Sequence, residues 1–126
     1  MRNPLMTLPL LLLAAACSTT TRPYDPVGSV SYSAIGQDPF WLLTIGDDRI
    51  VLRMAGAEGD AVWPRTLPRS RGDVTVWDSG EGTQVITIAA RRGECRDSNG
   101  RRYEDEVRIR LSGRELFGCG GRMLEG

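Results

Sequence analysis

The sequence predicts an all-β domain, a small antiparallel barrel or sandwich of about seven or eight strands with one disulfide. Three observations predict it. Apolar residues recur with a period of two rather than 3.6. Short glycine-rich turns separate the alternating runs. Two of the three cysteines, Cys95 and Cys119, lie far along a chain whose start reads as an export signal.

The chain has 126 residues, enough for one small domain. Its 16 basic residues, all arginine, balance 16 acidic ones, and there is no histidine. The balance gives no overall electrostatic drive toward nucleic acid. The missing histidine excludes Ser-His and Cys-His catalysis and histidine-ligated metal.

Residues 1–16 form the first element. Arg2 supplies a positive start, and Leu5 to Ala16 is a mostly apolar run ending in Ala14-Ala15-Ala16-Cys17. This is the layout of a secretory signal peptide. A helix of that length spans roughly 18 Å, too short for a hydrocarbon core of about 30 Å. The run Leu13-Ala14-Ala15-Ala16-Cys17 resembles a bacterial lipoprotein lipobox, although Ala14 stands where leucine is usual. The resemblance implies cleavage before Cys17, acylation of that cysteine and anchoring of the chain in a membrane. Ser18, in place of the aspartate that marks inner-membrane retention, implies transfer to the outer membrane, facing the periplasm. The same small residues also suit an ordinary signal peptidase, which would leave a soluble periplasmic protein. Cleavage would remove one arginine and no acid, leaving a net charge of −1.

Residues 17–29 are polar and contain proline, a composition suited to a tether. The β-domain is expected over residues 30–126. Phe40 to Ile45 is a continuous apolar run, suited to a strand covered on both faces or to a barrel corner. Ile50, Leu52 and Met54 then alternate with polar or smaller neighbours. Met54 to Val62, the one candidate helix, is interrupted by Gly56 and Gly59. Val74 and Val76 alternate with Thr75 and Trp77, and Ile86 and Ile88 with Val85 and Thr87. Val107, Ile109 and Leu111, set against Arg108 and Arg110, make the clearest strand. Gly46-Asp47-Asp48, Ser79 to Gly82 and Ser112-Gly113 are the expected turns.

Two stretches read as long connections, residues 55–73 and residues 91–105. Both are rich in arginine, whose planar fork matches phosphate and carboxylate groups. Arg65, Arg69, Arg91 and Arg92 are therefore candidates for a binding surface, together with one ring of the Phe40-Trp41 pair, taken as Trp41. Adjacent strand residues face opposite sides, so one ring is expected to anchor the core, while the other packs there as well, covers a barrel end or forms an exposed aromatic site.

Cys95 and Cys119 are expected to pair in an oxidising compartment. Without histidine or a CxxC spacing they make a poor zinc site, so no metal and no cofactor is expected.

Gly36-Gln37-Asp38-Pro39-Phe40-Trp41, Cys95-Arg96-Asp97, Arg102-Tyr103 and Gly118-Cys119 together resemble a family of small, uncharacterised bacterial envelope proteins and lipoproteins. The resemblance covers residues 34 to 120 and implies an exported, β-rich domain with a disulfide. It implies no catalytic residues.

Weaker signals carry less. Arg71-Gly72-Asp73 is a chance match to an adhesion tripeptide, and Asp97-Ser98-Asn99-Gly100 places its glycine too early for a calcium loop. The expected function is a noncatalytic, lipid-anchored envelope protein. Its expected partners are the membrane, through acyl chains, and an envelope protein or an anionic glycan or lipid. Inhibition of a secreted hydrolase such as lysozyme is the alternative, resting on fold-level analogy. A carrier of small apolar ligands would need a hollow barrel, and only eight aromatic side chains are available to line or fill it.

Overall fold

A computed structural model describes residues 31–124. The expected signal segment, Cys17 and the tether lie outside the described residues. Among the described residues every regular element is a strand: β1 (Tyr32–Gly36), β2 (Trp41–Ile45), β3 (Arg49–Met54), β4 (Ala61–Pro64), β5 (Arg69–Arg71), β6 (Val74–Ser79), β7 (Ile86–Arg96), β8 (Arg102–Leu111) and β9 (Arg114–Met123). They form one antiparallel sheet in the order β4-β3-β2-β1-β9-β8-β7-β6-β5. It curls into a half-barrel, so the sandwich alternative falls away.

Two meanders, β1–β4 and β5–β9, meet at β1 and β9. That joint is a short ladder: Ala34 opposite Gly120, Ile35 opposite Cys119 and Gly36 opposite Gly118. Inside the curl lie Leu43, Ile45, Ile50, Ile86, Ile88 and Ile109, all fully buried, with Trp41, Trp63 and Trp77 around them. The alternation of β3, β7 and β8 places Ile50 and Leu52, Ile86 and Ile88, and Val107 and Ile109 on this inner face. In β2, Trp41, Leu43 and Ile45 take the inner face, whereas Leu42 and Thr44 are only half-covered. In β6 the inner face belongs to Trp77 and Ser79, and Val74 and Val76 point outward.

The strand count exceeds the expected seven or eight because residues 55–73 are not one long connection. They contain β4 and β5, the two edges of the sheet. Each edge strand pairs on one side only, with β3 or with β6. Neither needs an alternating apolar pattern, so neither announced itself in the sequence. Both edges carry devices that discourage further pairing. Pro64, which has no amide to donate, ends β4, and its carbonyl accepts from Ser79 Oγ at 2.7 Å. β5 is three exposed residues, two of them arginine.

Residues 91–105 are not a loop either. β7 runs on to Arg96 and β8 starts at Arg102, with a register shift between Arg92 and Cys95. This outer part of the hairpin extends past the core, so water replaces the apolar neighbours and the alternation disappears while the ladder continues. Its tip is an Asx turn: Asp97 Oδ1 accepts from the amides of Asn99 at 2.8 Å and Arg101 at 2.9 Å.

Side chains rather than a ladder join β4 and the residues just after it to the end of β6 and the turn that leads to β7. Trp63 Nε1 donates to the Gln84 carbonyl at 2.9 Å, and Thr66 Oγ1 donates to the Asp78 carbonyl at 2.6 Å.

Candidate functional site

The disulfide joins Cys95 to Cys119, 24 residues apart, with their Cα atoms 5.5 Å from each other. It fastens the outer part of the β7–β8 hairpin onto β9. Gln37 fastens the tip to the β1–β2 turn, because its Oε1 accepts from the Ser98 amide at 3.0 Å and from Ser98 Oγ at 2.6 Å. The hairpin therefore overhangs the outer face of the sheet.

Trp41 does not belong to a surface. It is 1% exposed, while Phe40 beside it is 44% exposed. Two glycines explain the position. A Cβ on Gly36 would lie 2.1 Å from the Trp41 indole nitrogen, and one on Gly118 would lie 2.7 Å from Trp41 Cζ2. The widely separated Gly36, Trp41 and Gly118 are thus one packing unit, in which two bare backbones admit one large ring. Tyr103, cross-strand from Cys95, is also buried.

The four candidate arginines do not form one surface. Arg65 is held just past the end of β4, where Nη1 donates to the Gly46 carbonyl of the β2–β3 turn at 2.7 Å and Nε to the Thr66 carbonyl at 3.2 Å. Arg69 is paired with Asp78. Thr87 Oγ1 donates to the same Asp78 carboxylate at 2.9 Å, and this bond, with Arg69 adding to it, holds the carboxyl below its usual range. Arg91 and Arg92 are strand neighbours and point to opposite faces. Arg92 shares its face with Asp105. That carboxylate accepts from the Tyr32 hydroxyl at 2.8 Å; burial first, and Asp105 second, push the phenol's pKa up.

Arg91 lies on the outer face, where the register builds two rows. Arg71, Val74, Arg91, Glu106 and Cys119 stand opposite one another from β5 to β9. In the next row stand Arg69, Val76, Ala89, Arg108 and Phe117. Side chains paired in this way project from the same face. Between the rows is a trough of about 310 Å³, lined by Val74, Ala89, Arg91, Glu106, Arg108 and Phe117. It adjoins a second hollow, of about 410 Å³, that runs under the hairpin tip toward Asp38 and shares Glu106 and Phe117. Phe117 is 58% exposed, and the Arg108 guanidinium lies 5.6 Å from its ring centroid.

Sequence reading missed Arg71, Arg108 and Phe117. A signal for Arg108 was present. It alternates with Val107 and Ile109, so it had to face away from the core, but its neighbours on that face depend on the register of five strands. Searches against protein-family models, curated proteins and solved structures find no match to this chain.

Proposed function

We propose that this chain is a lipid-anchored bacterial envelope protein, carried on the outer membrane, whose β-domain is a noncatalytic binding or structural module facing the periplasm. The observation that carries this reading is the division of the three cysteines. Cys95 and Cys119 bond to each other, a pairing suited to an oxidising compartment. Cys17 is left outside that bond, at the end of an apolar segment in the layout of an export signal. Two or more acyl chains on one cysteine suffice for stable membrane attachment, so no apolar patch on the domain has to supply it. The lipobox resemblance and the resemblance to small envelope proteins support the same reading.

The test is envelope fractionation with intact-mass measurement of the wild type and of Cys17→Ser. The expected result is a wild-type mass equal to the chain from Cys17 plus acyl groups, recovered with outer membranes, and loss of both for Cys17→Ser. An unmodified chain starting at Cys17 in the soluble fraction would replace the anchor with a soluble periplasmic protein.

A further inference from the structure

We propose that the outer-face trough binds a phosphate group carried on an apolar body, with Arg91 and Arg108 gripping the phosphate and Phe117 and Val74 receiving the apolar part. This deepens the envelope-binding reading by naming the site and the chemistry it recognises. It does not depend on where the chain is anchored.

The argument starts from how the arginines are employed. Arg49, Arg53, Arg69, Arg96, Arg101, Arg102, Arg110 and Arg122 each form an ion pair with a carboxylate. Arg65 is bonded to carbonyls. Among the described residues, Arg71, Arg91, Arg92, Arg108 and Arg114 form no ion pair. Three of these five stand together on the two outer-face rows. Arg91 and Arg108 are diagonal neighbours on β7 and β8, about 7 to 8 Å apart at the backbone. Arg71 lies beyond Val74, two strand spacings or about 9.6 Å from Arg91.

Arg91 and Arg108 project two guanidinium forks from adjacent strands on one face, that of Arg108 beside the Phe117 ring. The tetrahedral oxygens of a phosphate can accept from two forks that are not coplanar. The lining of the trough is mixed, with Val74, Ala89 and Phe117 beside the cations. A bare inorganic anion would leave those apolar side chains unused. A phosphate joined to an apolar body uses both. Glu106 stands between the two arginines on this face and takes neither as an ion-pair partner. Its negative charge opposes an incoming anion, which gives the proposal a variant of opposite sign.

The experiment uses the full chain with Cys17→Ser, so that no acyl chain contributes, titrated with monomeric short-chain phosphatidylglycerol and, in parallel, with inorganic phosphate. Binding is followed by the amide signals of β7 and β8. Saturable binding is expected, weakened about fivefold or more by Arg91→Gln and by Arg108→Gln. Glu106→Gln is expected to tighten it, and Arg114→Gln, which removes the same charge from an unpaired arginine that begins β9 on the other face of the sheet, is expected to leave it unchanged. Tighter binding of the lipid than of phosphate is the expected result, and equal binding of the two would overturn the part assigned to Phe117 and Val74. Absence of saturable binding by both probes would overturn the proposal. So would equal losses in Arg91→Gln and Arg114→Gln, or a Glu106→Gln variant that binds no better. Either result leaves the acylation of Cys17 a separate question, decided by mass.

Discussion

Replacing Gly118 by alanine tests the account of the sheet's central joint. The new Cβ would lie 2.2 Å from the Ile35 carbonyl oxygen, 2.7 Å from Trp41 Cζ2 and 2.9 Å from Gly36 Cα. A comfortable carbon–oxygen contact is about 3.3 to 3.6 Å, so β1 would have to retreat by roughly 1 Å. The obstruction is backbone and a buried indole, not the end of a mobile side chain. It also falls on the short ladder that joins the two meanders. Overpacking of this kind costs about 1 to 3 kcal/mol, and the upper end applies where nothing nearby can yield. Alanine returns about 0.4 to 1 kcal/mol by stiffening the unfolded chain. The net expectation is a loss of about 2 kcal/mol, or a melting point lowered by roughly 8 to 16 °C for a domain of this size. Gly93→Ala is the control, because a Cβ there meets nothing within 4 Å and its φ is not in the left-handed range. Urea unfolding of both oxidised variants, followed by tryptophan fluorescence, decides the matter. Equal midpoints for Gly118→Ala and Gly93→Ala would refute the packing argument.

Three further outcomes are expected. Replacing Cys95 and Cys119 together by alanine reopens a loop set by their 24-residue separation; chain-entropy arithmetic puts the loss near 3.5 kcal/mol at 25 °C. Hydrogen exchange should then show lost protection at residues 95–103 before the rest of the sheet. Tyr32→Phe removes the donor to Asp105 and should cost about 1 kcal/mol in denaturant unfolding, the usual worth of such a bond. The Asp78 carboxyl is held below its ordinary pKa, first by Thr87 and then by Arg69. Its contribution is therefore complete above the ordinary carboxylate range and is lost as pH falls through the lower folded value. Asp78→Asn should flatten the acid limb of a stability-against-pH curve without changing its neutral shape. The pair with Arg69 is largely exposed, so the effect should stay below about 1 kcal/mol.

Local patterns were legible wherever one strand buries one face. Val107 and Ile109 against Arg108 and Arg110 identify β8, and Gly46-Asp47-Asp48 and Ser112-Gly113 mark turns that the structure places between β2 and β3 and between β8 and β9. The cysteine pair was legible because only two of the three cysteines lie inside the domain. Candidate site residues were legible by type, since the arginine content was plain, but not by place. Arg65 went to the β2–β3 turn, Arg69 to Asp78, and Arg91 and Arg92 to opposite faces.

The sequence by itself determined the class of fold, the period of its strands and the pairing of its thiols, because these depend on neighbours one or two positions away or on simple counts. The tertiary structure decided which residues share a face across β5 to β9, that Gly36 and Gly118 make room for Trp41, and that Arg91 and Arg108 line one trough with Phe117. Those neighbours come from different strands, and a shift of one residue in register would send every one of these side chains to the other side of the sheet.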